Sequence, residues 1–180
     1  DAFNQNIGDW DVGAAADMHW MFRNAIAFNQ DIGDWCVTAD LSSAFLRAKC
    51  AATTCGVGFA MDDTNIRTAV AAWIDSPTDA ANTYGNIGSW CTSDVTDMAL
   101  LFKSRDKFNY DIGDWDVAAV TDMSEMFYTA QAFDQDISDW NVSAVTDMKL
   151  MFVFARAFNQ DVGNWDVSAV TDMNSMFQHA

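Results

Sequence analysis

Tryptophan recurs along this chain at a fixed step. Trp10 and Trp35 are 25 residues apart, and Trp90, Trp115, Trp140 and Trp165 continue at the same interval. Between Trp35 and Trp90 the gap is 55 residues, one interval plus 30 more. Self-similarity at a period of this size marks stacked units, none of which buries its apolar side alone. Two patterns follow one another in each unit. Ile112, Trp115 and Val117 sit in the frame I-x-x-W-x-V, whose aromatic and β-branched residues suit a short strand. Met123, Met126 and Phe127 then fall at i, i+3 and i+4, a spacing that predicts a short helix. Asp122 is placed to cap that helix, and Glu125 completes a capping-box-like pair. The six tryptophans are expected to form one buried ladder.

The I-x-x-W-x-V frame matches the L-x-x-L-x-L frame of a leucine-rich repeat. The expected fold is therefore an α/β repeat solenoid, a leucine-rich-repeat-like stack of short parallel strands and short helices with one helical insertion. Residues 1–47 hold two copies, residues 48–85 are a non-repeat insertion or cap, and residues 86–180 hold four copies. Within the insertion Ile66, Val70, Trp73 and Ile74 share one helical face. Asp63 or Thr64 can cap that helix, and Pro77, the only proline, follows its end. The helix is expected to lie over an edge of the stack or between two coils, with a simple loop excursion as the alternative.

The copies at Phe108, Phe133 and Phe158 give the motif F-N-Q-D-I-G-D-W-D-V-S-A-V-T-D-M-x-x-M-F. That motif resembles the BspA-like surface-protein repeats of bacterial lipoproteins and many algal proteins. The resemblance covers all of the chain except roughly residues 46–60. Asn65 to Trp73, followed by Tyr84 to Trp90, resembles a helical lead-in that precedes new arrays in algal members. The resemblance implies a cell-surface or secreted protein with adhesion as one role, and it supplies no catalytic residue to carry over.

Charge narrows the partners. A net charge of −17 and a pI near 4.1 oppose nucleic acid, which is bound by basic side chains. Anionic membrane surfaces are disfavoured for the same reason, and no run of about 18 apolar residues would span a bilayer. Asp1-Ala2-Phe3 does not read as a signal peptide. It has the phase of Gln131-Ala132-Phe133, and Ala180 stops where a further copy would start. No polar capping copy is visible, so the expected partner is protein, including further copies of this chain head-to-tail. A glycan is a second candidate.

Four cysteines allow three pairings. Cys36 and Cys91 both follow a motif tryptophan and so share a phase, which favours pairing them, with Cys50 and Cys55 closing a small loop. Reduced thiols and zinc are the alternatives, zinc being poorly served by two distant histidines. Disulfides and the resemblance together point to an extracellular or cell-surface location. Asn141-Val142-Ser143 is the glycosylation candidate. Asp9, Asp11, Asp34, Asp114, Asp116, Asp139 and Asp166 flank motif tryptophans and are expected to form an acidic concave face. Stacked like charges repel, so calcium at Asp114, Asp116 and Asp139 is a candidate ligand. Asp97, Asp122, Asp147 and Asp172 read as helix caps. Asn4, Asn29, Asn109 and Asn159 read as a backbone-bonding ladder, and the methionine columns read as core. No nucleophile elbow, phosphate loop or zinc-hydrolase motif occurs, so the chain reads as a non-catalytic scaffold or binding module and not as an enzyme.

Overall fold

The regular secondary structure gathers where the 25-residue pattern breaks. The structure, a computed structural model, describes residues 2–33, 35–37, 43–48 and 57–180. Strand β1 (Cys36–Val37) is followed by β2 (Gly58–Asp62), helices α1 (Ile66–Asp75) and α2 (Pro77–Tyr84), a 3-10 turn (Ile87–Ser89) and strand β3 (Cys91–Asp94). Ile66, Ala69, Val70 and Trp73 bury one face of α1 at helical spacing. Ser76 and Pro77 end that helix and open the next. Ser76 Oγ accepts from the Asp79 N–H at 3.4 Å, and proline occupies the first turn where its missing donor costs nothing. This second helix was not expected. Its sequence signal is Ser76-Pro77-x-Asp79, a cap, a helix-starting proline and an acidic first turn.

The three strands pair in parallel in the order β1-β2-β3. Two glycines make the close approaches. A Cβ on Gly58 would stand 2.3 Å from the Ser89 carbonyl oxygen and 2.7 Å from Cys91 Sγ. Gly85 ends α2 at φ 72°, and a Cβ there would meet the Val57 carbonyl at 2.5 Å.

The leucine-rich-repeat-like solenoid is not the architecture. The fold is a small domain whose regular elements, among the described residues, are three parallel strands and two α-helices. Among the described residues, strand and helix do not alternate through each sequence copy. The segments expected to be helical, such as Met123 to Phe127, are turns. A left-handed residue at Glu125 (φ 54°) and another at Thr129 (φ 58°) break any helix there. Leu100 and Ser104, and Leu150 and Phe154, repeat the same pair.

The backbone hydrogen bonds explain the substitution of turn for helix. Met98, Leu100, Phe102 and Ser104 donate their N–H groups to the carbonyls of Asp122, Ser124, Met126 and Tyr128 at 2.8–2.9 Å. The intervening Leu101, Lys103 and Arg105 donate three residues back. Alternate donors thus leave the segment, whereas an α-helix would keep them all within it. Single bridges Asp97–Asp122, Asp122–Asp147 and Asp147–Asp172 run beside these bonds.

Asp63, in the turn before α1, and Arg67 in its first turn supply the same bonds to the segment at 96–99 through side chains. Thr121 and Thr146 donate their N–H groups to the carbonyls of Thr96 and Thr121. Thr96 itself donates to Asp63 Oδ1 at 2.8 Å, joined by the Asp97 N–H at 3.0 Å. The Ala99 carbonyl accepts from Arg67 Nη1 at 2.6 Å, and Arg67 also pairs with Asp97 at 2.9 Å. Asp63 stands in for a carbonyl and Arg67 for an N–H, so the helical segment caps the sequence copies that follow it.

The apolar interior divides in two. A smaller cluster includes Ile7, Phe22, Phe28, Ile32 and Trp35, and a larger one runs from Met61 to Met176. Trp35, Trp90, Trp115, Trp140 and Trp165 are buried, but Trp10 is 54% exposed. Trp10 stacks on Trp35, and Trp35 lies in the smaller cluster while Trp90, Trp115, Trp140 and Trp165 lie in the larger one, so the expected single buried ladder of six is corrected.

Candidate functional site

Cys36 and Cys91 are joined by a disulfide, with Cα atoms 5.7 Å apart. The bond ties β1 to β3 across the start of β2, which is why residue 58 must lack a side chain. Cys50 and Cys55 lie outside the described residues, as does Asp34.

Beside the disulfide opens a cleft of about 950 Å3. Gly33 and Cys36 form one lip. Trp73 from α1, the segment Asn86–Ser93, and Tyr110, Asp111, Asp114 and Asp116 form the rest. Trp73 meets Trp90 edge-on at 6.1 Å and Tyr110 edge-on at 5.4 Å. A smaller hollow of about 370 Å3 holds Asp9, Trp10 and Asp11 against Cys36. The expected acidic face is thus distributed. Asp114 and Asp116 line the larger cleft, Asp9 and Asp11 the smaller hollow, and Asp139 and Asp166 are exposed and line neither.

Many of these carboxylates also have a local job. Asp11, Asp116 and Asp166 each accept from the backbone N–H two residues ahead, at 3.0–3.2 Å. Asp97, Asp122, Asp147 and Asp172 do the same at 2.8 Å. These are Asx turns, not helix caps, because no helix follows them. Asp31, Asp111, Asp136 and Asp161 form a third set at 2.9–3.0 Å. The signal in the sequence was D-x-G and D-x-S at a fixed phase. Hydrogen bonding pulls several carboxyls below the ordinary range. The Ser138 hydroxyl does this to Asp136, the Ser168 hydroxyl to Asp166, and the Thr64 hydroxyl to Asp62. The Thr96 hydroxyl leads for Asp63, with Arg67 adding attraction.

The asparagine positions tie neighbouring segments together. Asn4 Oδ1 accepts from the Asn29 N–H at 2.8 Å, and Asn109 Oδ1 accepts from the Asp134 N–H at 2.9 Å. Asp134 continues the series by accepting from Asn159 at 2.9 Å. Asn141 is exposed, and its Oδ1 accepts from the Ser143 N–H and hydroxyl at 3.2 and 2.7 Å. Among the described residues, no group of three or more His, Cys, Asp or Glu side chains is placed to hold a metal ion. No helix among them is long and apolar enough to cross a membrane.

Fold and sequence together define a domain of turns stapled, among the described residues, by the Cys36–Cys91 disulfide. The family is shown by the sequence match: residues 1–54 and 74–180 fit the family described as Mycoplasma protein of unknown function, DUF285, and the chain belongs to it. This corrects the resemblance to BspA-like repeats. The leucine-rich-repeat descriptors attached to that resemblance fall with it. No curated protein and no solved structure matches the chain.

Proposed function

We propose that the chain is a non-catalytic scaffold that forms or decorates an extracellular surface structure through protein–protein contacts. Exposed apolar side chains carry this reading: Ile26 is 62% exposed and Leu100 is 47% exposed.

Such side chains offer apolar contact surface to another protein, a second copy of the chain included. The extracellular assignment is supported by the Cys36–Cys91 bond, since disulfides persist in oxidising compartments. Sedimentation velocity with electron microscopy tests the reading. Concentration-dependent association, abolished by Leu100→Asp, is the expected result. A chain that stays monomeric at about 100 μM, well above the range of specific association, overturns it.

A further inference from the structure

We infer that the cleft beside the disulfide is a binding site for a short neutral oligosaccharide. This does not rest on the self-association proposed above. The starting observation is a broken rule. Trp35, Trp115, Trp140 and Trp165 each donate the indole N–H to a carbonyl 28 residues earlier, at 2.8–3.2 Å. Trp90 does not. The residue 28 earlier is Asp62, which lies in β2, and the edge of Trp73 from α1 packs against Trp90 instead. The indole N–H groups of both Trp73 and Trp90 are buried without a partner among the described residues. The two side chains are only 5% and 2% exposed. Buried donors are nearly always satisfied, and two orphans side by side call for an acceptor from outside.

Both indoles line the same cleft, whose volume of about 950 Å3 suits a ligand of two or three sugar rings. The remaining lining is rich in acceptors. Asp111 and Asp116 commit one carboxylate oxygen each to an Asx turn, which leaves the other available, and Asp114 makes no such bond. Tyr110 is 40% exposed at the mouth and offers a ring on which the C–H face of a sugar can stack.

The choice of ligand follows from this mixture. Among the described residues no Lys, Arg or His lines the cleft, so an anion finds no counter-charge there. A simple cation would satisfy the carboxylates but brings no acceptor for the indoles. A hydroxyl both donates and accepts, so a polyhydroxylated neutral ligand answers both sets. The indole N–H atoms themselves are buried, so binding requires a side-chain adjustment. Tyr110, held against Trp73 by an edge-on contact, is the ring placed to move.

The test is titration of the disulfide-intact chain with cellotriose, maltotriose, xylotriose, mannotriose and chitotriose. Calorimetry and the indole N–H region of 1H–15N spectra are the readouts. At least one sugar is expected to bind and to move two indole resonances. Tyr110→Ala and Asp114→Asn should each weaken that binding about tenfold or more, the loss of roughly one good contact. Asp166→Asn, away from the cleft, should leave it unchanged. If none of the five sugars binds at about 10 mM, weaker than any useful affinity, the inference fails. It also fails if the binding survives both cleft variants, or if spermine occupies the cleft and the sugars do not.

Discussion

Truncating Trp115 to alanine is expected to destabilise the protein by about 3–5 kcal/mol. The side chain is 2% exposed, stacks on Trp90 at 6.0 Å and lies 5.9 Å from Phe102. A buried tryptophan removes roughly 150–250 Å2 from water, which at about 25 cal/mol per Å2 sets an upper value near 4–6 kcal/mol. The lost hydrogen bond adds little. Trp115 Nε1 donates to the Ile87 carbonyl at 2.8 Å, but that carbonyl also accepts from the Trp90 N–H at 3.3 Å. Truncation therefore leaves no orphaned acceptor. Trp115→Phe keeps most of the stack and gives up the N–H bond with some volume, for a cost of about 1–2 kcal/mol. Urea unfolding followed by the fluorescence of the other tryptophans measures both. With a slope near 2 kcal/mol per M, the alanine variant should lower the midpoint by about 2 M. The reasoning is refuted if the alanine variant loses less than about 1 kcal/mol, or if phenylalanine is as damaging as alanine.

Three further outcomes follow from the same structure. Trp10→Ala should change stability by less than about 1 kcal/mol, because Trp10 is half exposed although it shares the phase of Trp115; a loss as large as that of Trp115 would contradict the burial pattern. Reducing the Cys36–Cys91 bond, which spans 55 residues, should cost about 4 kcal/mol by loop entropy, read as a fall in the unfolding midpoint under reductant, and an unchanged midpoint would sink it. Asp62, Asp63, Asp136 and Asp166 all have carboxyls held below their ordinary range. The folded state then binds fewer protons than the unfolded one near pH 4. Their contribution is complete above about pH 5 and is lost as the pH falls through the folded values. Thermal midpoints from pH 7 to pH 3 should show this decline, and Asp63→Asn should flatten it; an identical pH slope in that variant argues against the assignment.

The sequence announced its period, but not what the backbone does within a period. Met123, Met126 and Phe127 are all buried, as the i, i+3, i+4 spacing demands. A chain of turns with left-handed residues at fixed places buries the same three positions as a helix does. Periodicity alone cannot separate the two. Composition gave little warning either, since apart from Asn24 the left-handed sites include Leu100, Glu125, Leu150 and Phe154, not the usual glycine or asparagine. Helix α1 was legible, because Ile66, Val70 and Trp73 form one face and Pro77 stops it. The cleft was not. Its defining feature is that Trp90 lacks the carbonyl partner that Trp35, Trp115, Trp140 and Trp165 have, and only three-dimensional placement exposes that gap.

The aspartates separate by the same logic, and the separation can be measured. An aspartate in an Asx turn holds the backbone, whereas one without such a bond is available to a ligand. Asp122 is half-buried and accepts from the Ser124 N–H at 2.8 Å. Asp114 is exposed, forms no Asx turn and lines the cleft. Asp122→Ala should therefore cost about 0.5–1.5 kcal/mol, the net worth of one such hydrogen bond. Repulsion from Asp97 and Asp147, bridged to it on either side, pulls the value toward the lower end. Asp114→Ala should stay within about 0.5 kcal/mol of the parent. Urea midpoints of the two variants, taken side by side, decide the matter. A larger loss at Asp114 than at Asp122 would mean that the acidic residues before the tryptophans are structural after all, and the cleft would lose its best candidate for a free acceptor.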